Sequence, residues 1–173
     1  MSENMKQGTV GGVNGNMVSV AFDSSVIQNE VAYVITGDSR LKGEVIRVRG
    51  DEADLQVFEN TDGIRVGDQV SFTGELLSVE LGPGLLTQVF DGLQNPLPQL
   101  AKQAGSFLKR GLYIYPLDTE MRWQWTPTGT LGEGYVAGDA VGHVPEGIFE
   151  HRIMVPFAWR GTWTLTWLAE AGE

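Results

Sequence analysis

The sequence predicts a mainly β protein, with two β-rich halves joined by a junction that holds one short helix. Three observations predict it. Twenty-three glycines in 173 residues exceed the average share and mark many tight turns, hence many short strands. Between Gly8 and Val79 about six short alternating or β-branched runs recur at the roughly 8 to 12 residue spacing of a small barrel or sandwich. A single stretch, starting at Leu97, repeats its apolar residues at helical spacing.

Composition narrows the class further. Hydrophobic residues at 42% and charged residues at 20% describe an ordinary soluble protein, and a body of this length buries roughly 70% of its unfolded surface. Twelve basic against twenty-two acidic residues leave a net charge of −10, which repels nucleic acid phosphates and anionic headgroups. Nucleic acid is therefore not an expected partner. The absence of cysteine excludes disulfides, thiolate catalysis and cysteine-ligated metals, and it fits a reducing cytoplasmic location. The start, MSENMKQGTV, has no basic segment leading into an apolar core, so no signal peptide is expected. No apolar run approaches the ~20 residues that span a bilayer, and direct membrane insertion is not expected.

The first half reads as a closed barrel. Thr9 to Val13 and Met17 to Phe22 flank Asn14-Gly15, a dipeptide that favours tight hairpins. Val31 to Thr36 ends at Gly37-Asp38, and Leu41 to Arg49 follows, with Glu44, Ile46 and Val48 expected on one face and Val45, Arg47 and Arg49 on the other. Asp54 to Glu59 places Leu55 and Val57 inward, Thr61-Asp62-Gly63 turns, and Val66-Gly67-Asp68 leads into Val70 to Thr73. Closure removes the edge strands that an open sheet must protect. Six strands in a barrel are thus expected over 1–77.

The junction, 78–110, reads SVELGPGLLTQVFDGLQNPLP over Ser78 to Pro98. Pro83 fixes φ while Gly82 and Gly84 accept torsions other residues resist. Leu85, Leu86, Val89 and Phe90 have spacings that fit one face of a short helical turn. This is a hinge with an apolar side that must dock on something, inside this chain or outside it. The helix follows: Leu97, Leu100, Ala101, Ala104, Phe107 and Leu108 share a face, Gln99, Lys102, Gln103 and Lys109 lie opposite, Pro98 suits the first turn and Gly111 is a plausible stop.

The last part, 111–173, returns to strands. Tyr113 and Tyr115 alternate around Ile114, and Trp123 and Trp125 around Gln124. Tyr135-Val136 and Ile153 to Pro156 are short strands, and Thr162 to Leu168 puts Trp163, Leu165 and Trp167 on one face. Together with Trp159, these tryptophans either fill the core of a small β unit, each burying on the order of 150 to 250 Å², or form a platform for a sugar or peptide. Core filling is the commoner use.

Chemistry-bearing patterns are weak. Gly11-Gly12-Val13-Asn14-Gly15 has the glycines of a phosphate loop but no lysine, and it lies between strands rather than before a helix. His143 and His151 stand eight apart beside Glu146 and Glu150, without metal-site spacing or a third nitrogen ligand. No GxSxG elbow is present. No catalytic, cofactor-binding or metal-binding residue is expected in this chain.

Two resemblances organise these readings. Val136 to Gly142, Ile153 to Pro156 and Gly161-Thr162 look like the flattened barrel of biotinyl and lipoyl carrier domains, the barrel-sandwich hybrid. Such carriers present a lysine on the central turn. Here Val144 to Arg152 contains none, so the resemblance implies the fold and not carrier activity.

The second resemblance covers essentially the whole chain. Gly8 to Asn16, Leu41 to Arg47, Gln56 to Glu59 with Gly63 to Asp68, Leu77 to Leu86 and Phe90 to Leu97 resemble the N-terminal part of the catalytic A subunit, or alpha chain, of vacuolar-type rotary ATPases in their bacterial form. Arg110 to Tyr113, Trp123 to Pro127 and His151 to Pro156 resemble that subunit's inserted bulge domain. The resemblance implies a β-barrel in a crown of alternating A and B subunits, then a bulge that meets the peripheral stalk, all within the soluble head of a membrane-associated complex. It also implies that ATP and Mg are handled by a nucleotide-binding domain, to which the junction would belong and whose P-loop and catalytic residues have no counterpart up to Glu173. The resemblance thereby implies an exposed apolar patch or disorder at Leu85, Leu86, Val89 and Phe90, open to self-association with another copy of the chain. The chain is therefore expected to be an inactive piece of an ATP hydrolase or synthase subunit that transports protons or sodium ions. A free-standing binding module using its tryptophan-rich surface is the alternative.

Overall fold

A computed structural model describes residues 6–105 and 109–172. The chain divides into two compact units, one of residues up to Val79 together with Leu100–Tyr113, the other of Glu80–Gln99 together with Ile114 onward.

Glycine turns build the first unit. Its strands are β1 (Lys6–Asn14), β2 (Met17–Phe22), β3 (Glu30–Thr36), β4 (Ser39–Arg49), β5 (Glu52–Val57) and β6 (Gln69–Leu76). Three two-residue hairpins begin on Gly15, Gly37 and Gly50, at φ of 60°, 54° and 61°, each followed by Asn or Asp. Positive φ at the first loop residue alone is the II′ arrangement, whose twist matches that of the flanking strands. The first turn therefore centres on Gly15-Asn16, one residue later than the sequence reading, and Asn14 is the last rung, opposite Met17.

The strands close in the order β1-β2-β5-β4-β3-β6, with every neighbouring pair antiparallel. The expected six-stranded barrel is what forms. Its interior holds Val18, Val20, Val34, Leu41, Leu55 and Phe72, each at most 1% exposed, and Phe22 meets Phe72 edge to face at 5.9 Å. A bulge between Val45 and Arg47 corrects the expected faces of β4. The extra residue shifts the alternation, so Val45 is buried and Val48 also packs on the core, while Arg47 and Arg49 both reach Asp54.

Helix α1 (Leu97–Ala104) is shorter than the sequence pattern. It stops at Gly105, in the left-handed region at φ 68°, rather than at Gly111, since glycine takes that stop conformation without a Cβ clash. Leu100 is buried, whereas Leu97 is exposed; Phe107 and Leu108 lie outside the described residues.

The second unit has little regular structure: β7 (Thr126–Pro127), β8 (Gly134–Tyr135), β9 (Ala140–Glu146), β10 (Phe149–Met154) and β11 (Trp163–Thr164). They pair as β10-β9-β7 and as β11-β8. Tyr113 to Tyr115 is not a strand, Trp125 contributes only a bridge to Gly172, and the run from Thr162 to Leu168 yields two strand residues. An alternating pattern becomes a ladder only where a neighbour supplies partners, and here β8 is two residues long. Trp125 lies over Gly142, where an added Cβ would sit 2.0 Å from the indole ring. Only glycine fits under that ring.

The stretch from Glu80 to Leu97 is an ordered loop in this unit. Asp91 Oδ1 accepts from the Leu93 and Asn95 amides at 2.9 and 2.8 Å, and Leu97 N donates to Val89 O at 2.9 Å. Gln94 pairs with both backbone polar groups of Glu80, at 2.7 Å each. The expected helical turn is absent, because Thr87 at φ 66° breaks any right-handed run. Leu86 and Val89 are 42% and 60% exposed, while Leu85 and Phe90 are half-buried. The expected apolar patch is thus present for two of the four side chains.

Candidate functional site

The glycine-rich stretch Gly11 to Gly15 is the end of β1 and its turn, within the β1–β2 hairpin. The two histidines pair separately across the β9–β10 hairpin. His151 Nδ1 meets Glu146 Oε2 at 2.7 Å, and His143 Nε2 lies 3.9 Å from Glu150. Among the described residues no group of three His, Asp or Glu side chains is placed to hold a metal ion.

Two polar hubs stand out instead, one in each unit. In the first, Glu59 accepts from the Gly111 amide at 2.7 Å and from the Tyr113 hydroxyl, and that hydroxyl also accepts from Lys42 N at 2.8 Å. Burial, then the bond to Glu59, pushes the Tyr113 phenol well above its ordinary 10.0. Tyr113 meets Tyr33 edge to face at 6.5 Å, and the Arg40 guanidinium lies 3.9 Å over the Tyr33 ring.

In the second unit Glu146 ends β9 with its side chain only 6% exposed. Its Oε1 accepts from Gly84 N at 2.7 Å and Leu86 N at 2.9 Å. Burial pushes this carboxyl up, but the Leu86 amide, the His151 ring and the Gly84 amide outweigh it and hold the acid below its ordinary 4.5. The sequence pairs Glu146 with the histidines as a weak metal candidate. Its bond to a loop some sixty residues earlier has no signal in local spacing.

The tryptophans depart from the core-filling expectation. Trp125 is half-buried over Gly142, but Trp159, Trp163 and Trp167 are exposed, the last at 76%. Trp159 and Trp163 touch, with ring centroids 4.8 Å apart.

Both units match models of one family, the ATP synthase alpha/beta family: its beta-barrel domain over residues 10–74 and the ATP synthase alpha/beta subunit barrel-sandwich domain over 114–173. The chain belongs to that family. Within it, the chain is 56% identical over 167 residues to the V-type ATP synthase alpha chain of Treponema denticola. It is 57% identical over 166 residues to V-type ATP synthase alpha chain 1 of Treponema pallidum, and 52% identical over 167 residues to the alpha chain of Borreliella burgdorferi strain ZS7. Each match covers 96% of this chain and 28 to 29% of the relative. The chain thus spans under a third of the alpha chains it matches, and corresponds to their N-terminal part. The matched barrel and barrel-sandwich segments agree with the mainly β fold read from the sequence. Among the described residues no helix is long and apolar enough to cross a membrane.

Proposed function

We propose that this chain is the assembly end of a V-type alpha chain, whose intact parent couples ATP hydrolysis or synthesis to proton or sodium transport. The carrying observation is the order of two family domains in one chain, barrel then barrel-sandwich. The barrel joins neighbouring B subunits and further A subunits in the crown, and the 111–173 part meets the peripheral stalk. The 78–110 junction belongs with the nucleotide-binding domain, where ATP and Mg act; no catalytic, cofactor or metal residue is assigned to this chain. The complex's soluble head faces the cytoplasm. A closed barrel has no free strand edge, so its partners must meet side chains and turns rather than add a strand. Calorimetry of this chain with Mg-ATP is expected to give no binding heat, and it should elute with the B subunit in gel filtration. Micromolar ATP affinity, or separate elution, overturns the reading.

The exposure of Trp159, Trp163 and Trp167 favours a second reading, a binding module with an aromatic surface. Titration with glycans or peptides should then shift tryptophan fluorescence, and an unchanged spectrum removes it.

A further inference from the structure

We propose that Glu146 is a latch coupling the tip of the β9–β10 hairpin to the Gly82–Leu86 loop, so that whatever fixes one of these elements fixes the other. The hairpin turns through Gly147-Ile148 and carries Ile148 at 93% exposure, with Phe149 also exposed. Glu146 is the last β9 residue before that turn. Its Oε1 takes both the Gly84 and Leu86 amides, and its Oε2 is held by His151 of β10. One carboxylate therefore spans three segments of a single unit.

Glu146 is the side chain that accepts from the Gly84 and Leu86 amides. Gly84 sits at φ 102°, and residues 82–88 contain no titratable side chain. The titratable groups on the hairpin are His143, Glu146, Glu150, His151 and Arg152; of these, His151 is the partner of Glu146, while His143 lies 3.9 Å from Glu150. Leu86 is 42% exposed as it leaves the latch, and Val89, three residues further along, is 60% exposed. Two apolar surfaces, at the hairpin tip and on the loop, are thereby tied through one charge-assisted hub, and binding at either is linked to binding at the other. The coupling is internal to the chain and does not depend on the identity of any partner.

Amide hydrogen exchange on the 173-residue chain tests it. In Glu146→Gln, whose neutral side chain weakens both bonds, Gly84 and Leu86 should exchange about ten- to hundredfold faster. The Val155 and Trp125 amides of the same unit, bonded to Asp139 O and Gly172 O, should keep their rates. Equal acceleration at all four amides means general loosening and overturns the latch, as does no change at Gly84 and Leu86. A wild-type titration needs no variant: the Gly84 and Leu86 amide resonances should move together with one midpoint below 4.5 as Glu146 takes up a proton. Separate midpoints, or none, overturn the proposal.

Discussion

Tyr113 shows how a single half-buried hydroxyl acquires a pH-dependent role. Its oxygen donates to Glu59 and accepts from Lys42 N, so Tyr113→Phe removes two bonds and leaves the Lys42 amide unpaired. Such a loss costs about 1 to 3 kcal/mol. The sign of the pH effect follows from the raised folded value. Below the ordinary 10.0 both folded and unfolded phenol are protonated, and the contribution is fully present. Above it the unfolded chain releases the proton first, so stability falls as pH rises through the folded value. Urea unfolding of wild type and Tyr113→Phe should differ by a constant amount from neutral pH to about pH 10, and the gap should close above it. A gap that widens in alkali contradicts the arrangement.

Strands β3 and β6 meet around a buried acid that alternation alone does not reveal. Glu30 is fully buried, accepting from Ile27 N at 2.7 Å and Gly74 N at 2.6 Å, at the register shift between Glu30 and Ala32. The carboxylate thus satisfies two backbone donors, Gly74 N of β6 at the register shift and Ile27 N of the segment before β3. In Glu30→Gln, whichever way the amide turns, its NH2 faces one of those donors, and the barrel should lose about 1 to 3 kcal/mol. Exchange of the Val57 amide, bonded to Asn16 O, reports the barrel, and an unaltered rate under conditions where it exchanges by unfolding would sink the assignment. Glu30 also marks where sequence reading stops. Period-2 runs disclosed the six strands, because each carries its own inward face, and glycine disclosed the turns. The bulge in β4 was illegible, since Val45 and Val48 share the interior only after an inserted residue shifts the alternation. In the second unit Trp163, Leu165 and Trp167 alternate as a strand should, yet a ladder needs a partner strand, and local pattern does not encode one. The Glu146 hub was hidden for the same reason: its bonds to Gly84 and Leu86 join segments some sixty residues apart.

At the scale of the molecule, the two units differ sharply in what holds them. The barrel encloses a continuous buried cluster running from Val10 to Phe72. Among the described residues of the second unit, the buried apolar side chains are Pro96 and Val144. Its remaining order comes from short sheets, the Trp125–Gly142 contact and polar hubs at Glu146, Asp91 and Asn95, the last accepting from Ile114 N at 2.9 Å. Apolar burial contributes roughly 25 cal/mol per Å², whereas an ordinary internal hydrogen bond adds only about 1 kcal/mol net. The second unit should therefore be the weaker. The chain carries its own reporter, since Trp123, Trp125, Trp159, Trp163 and Trp167 all lie in the second unit. Tryptophan fluorescence follows that unit alone, and Val57 amide exchange follows the barrel. With increasing urea, the fluorescence transition should come first, while barrel amides remain protected. Coincident transitions would mean that one cooperative event unfolds both units, and that the second draws its stability from more than its own burial.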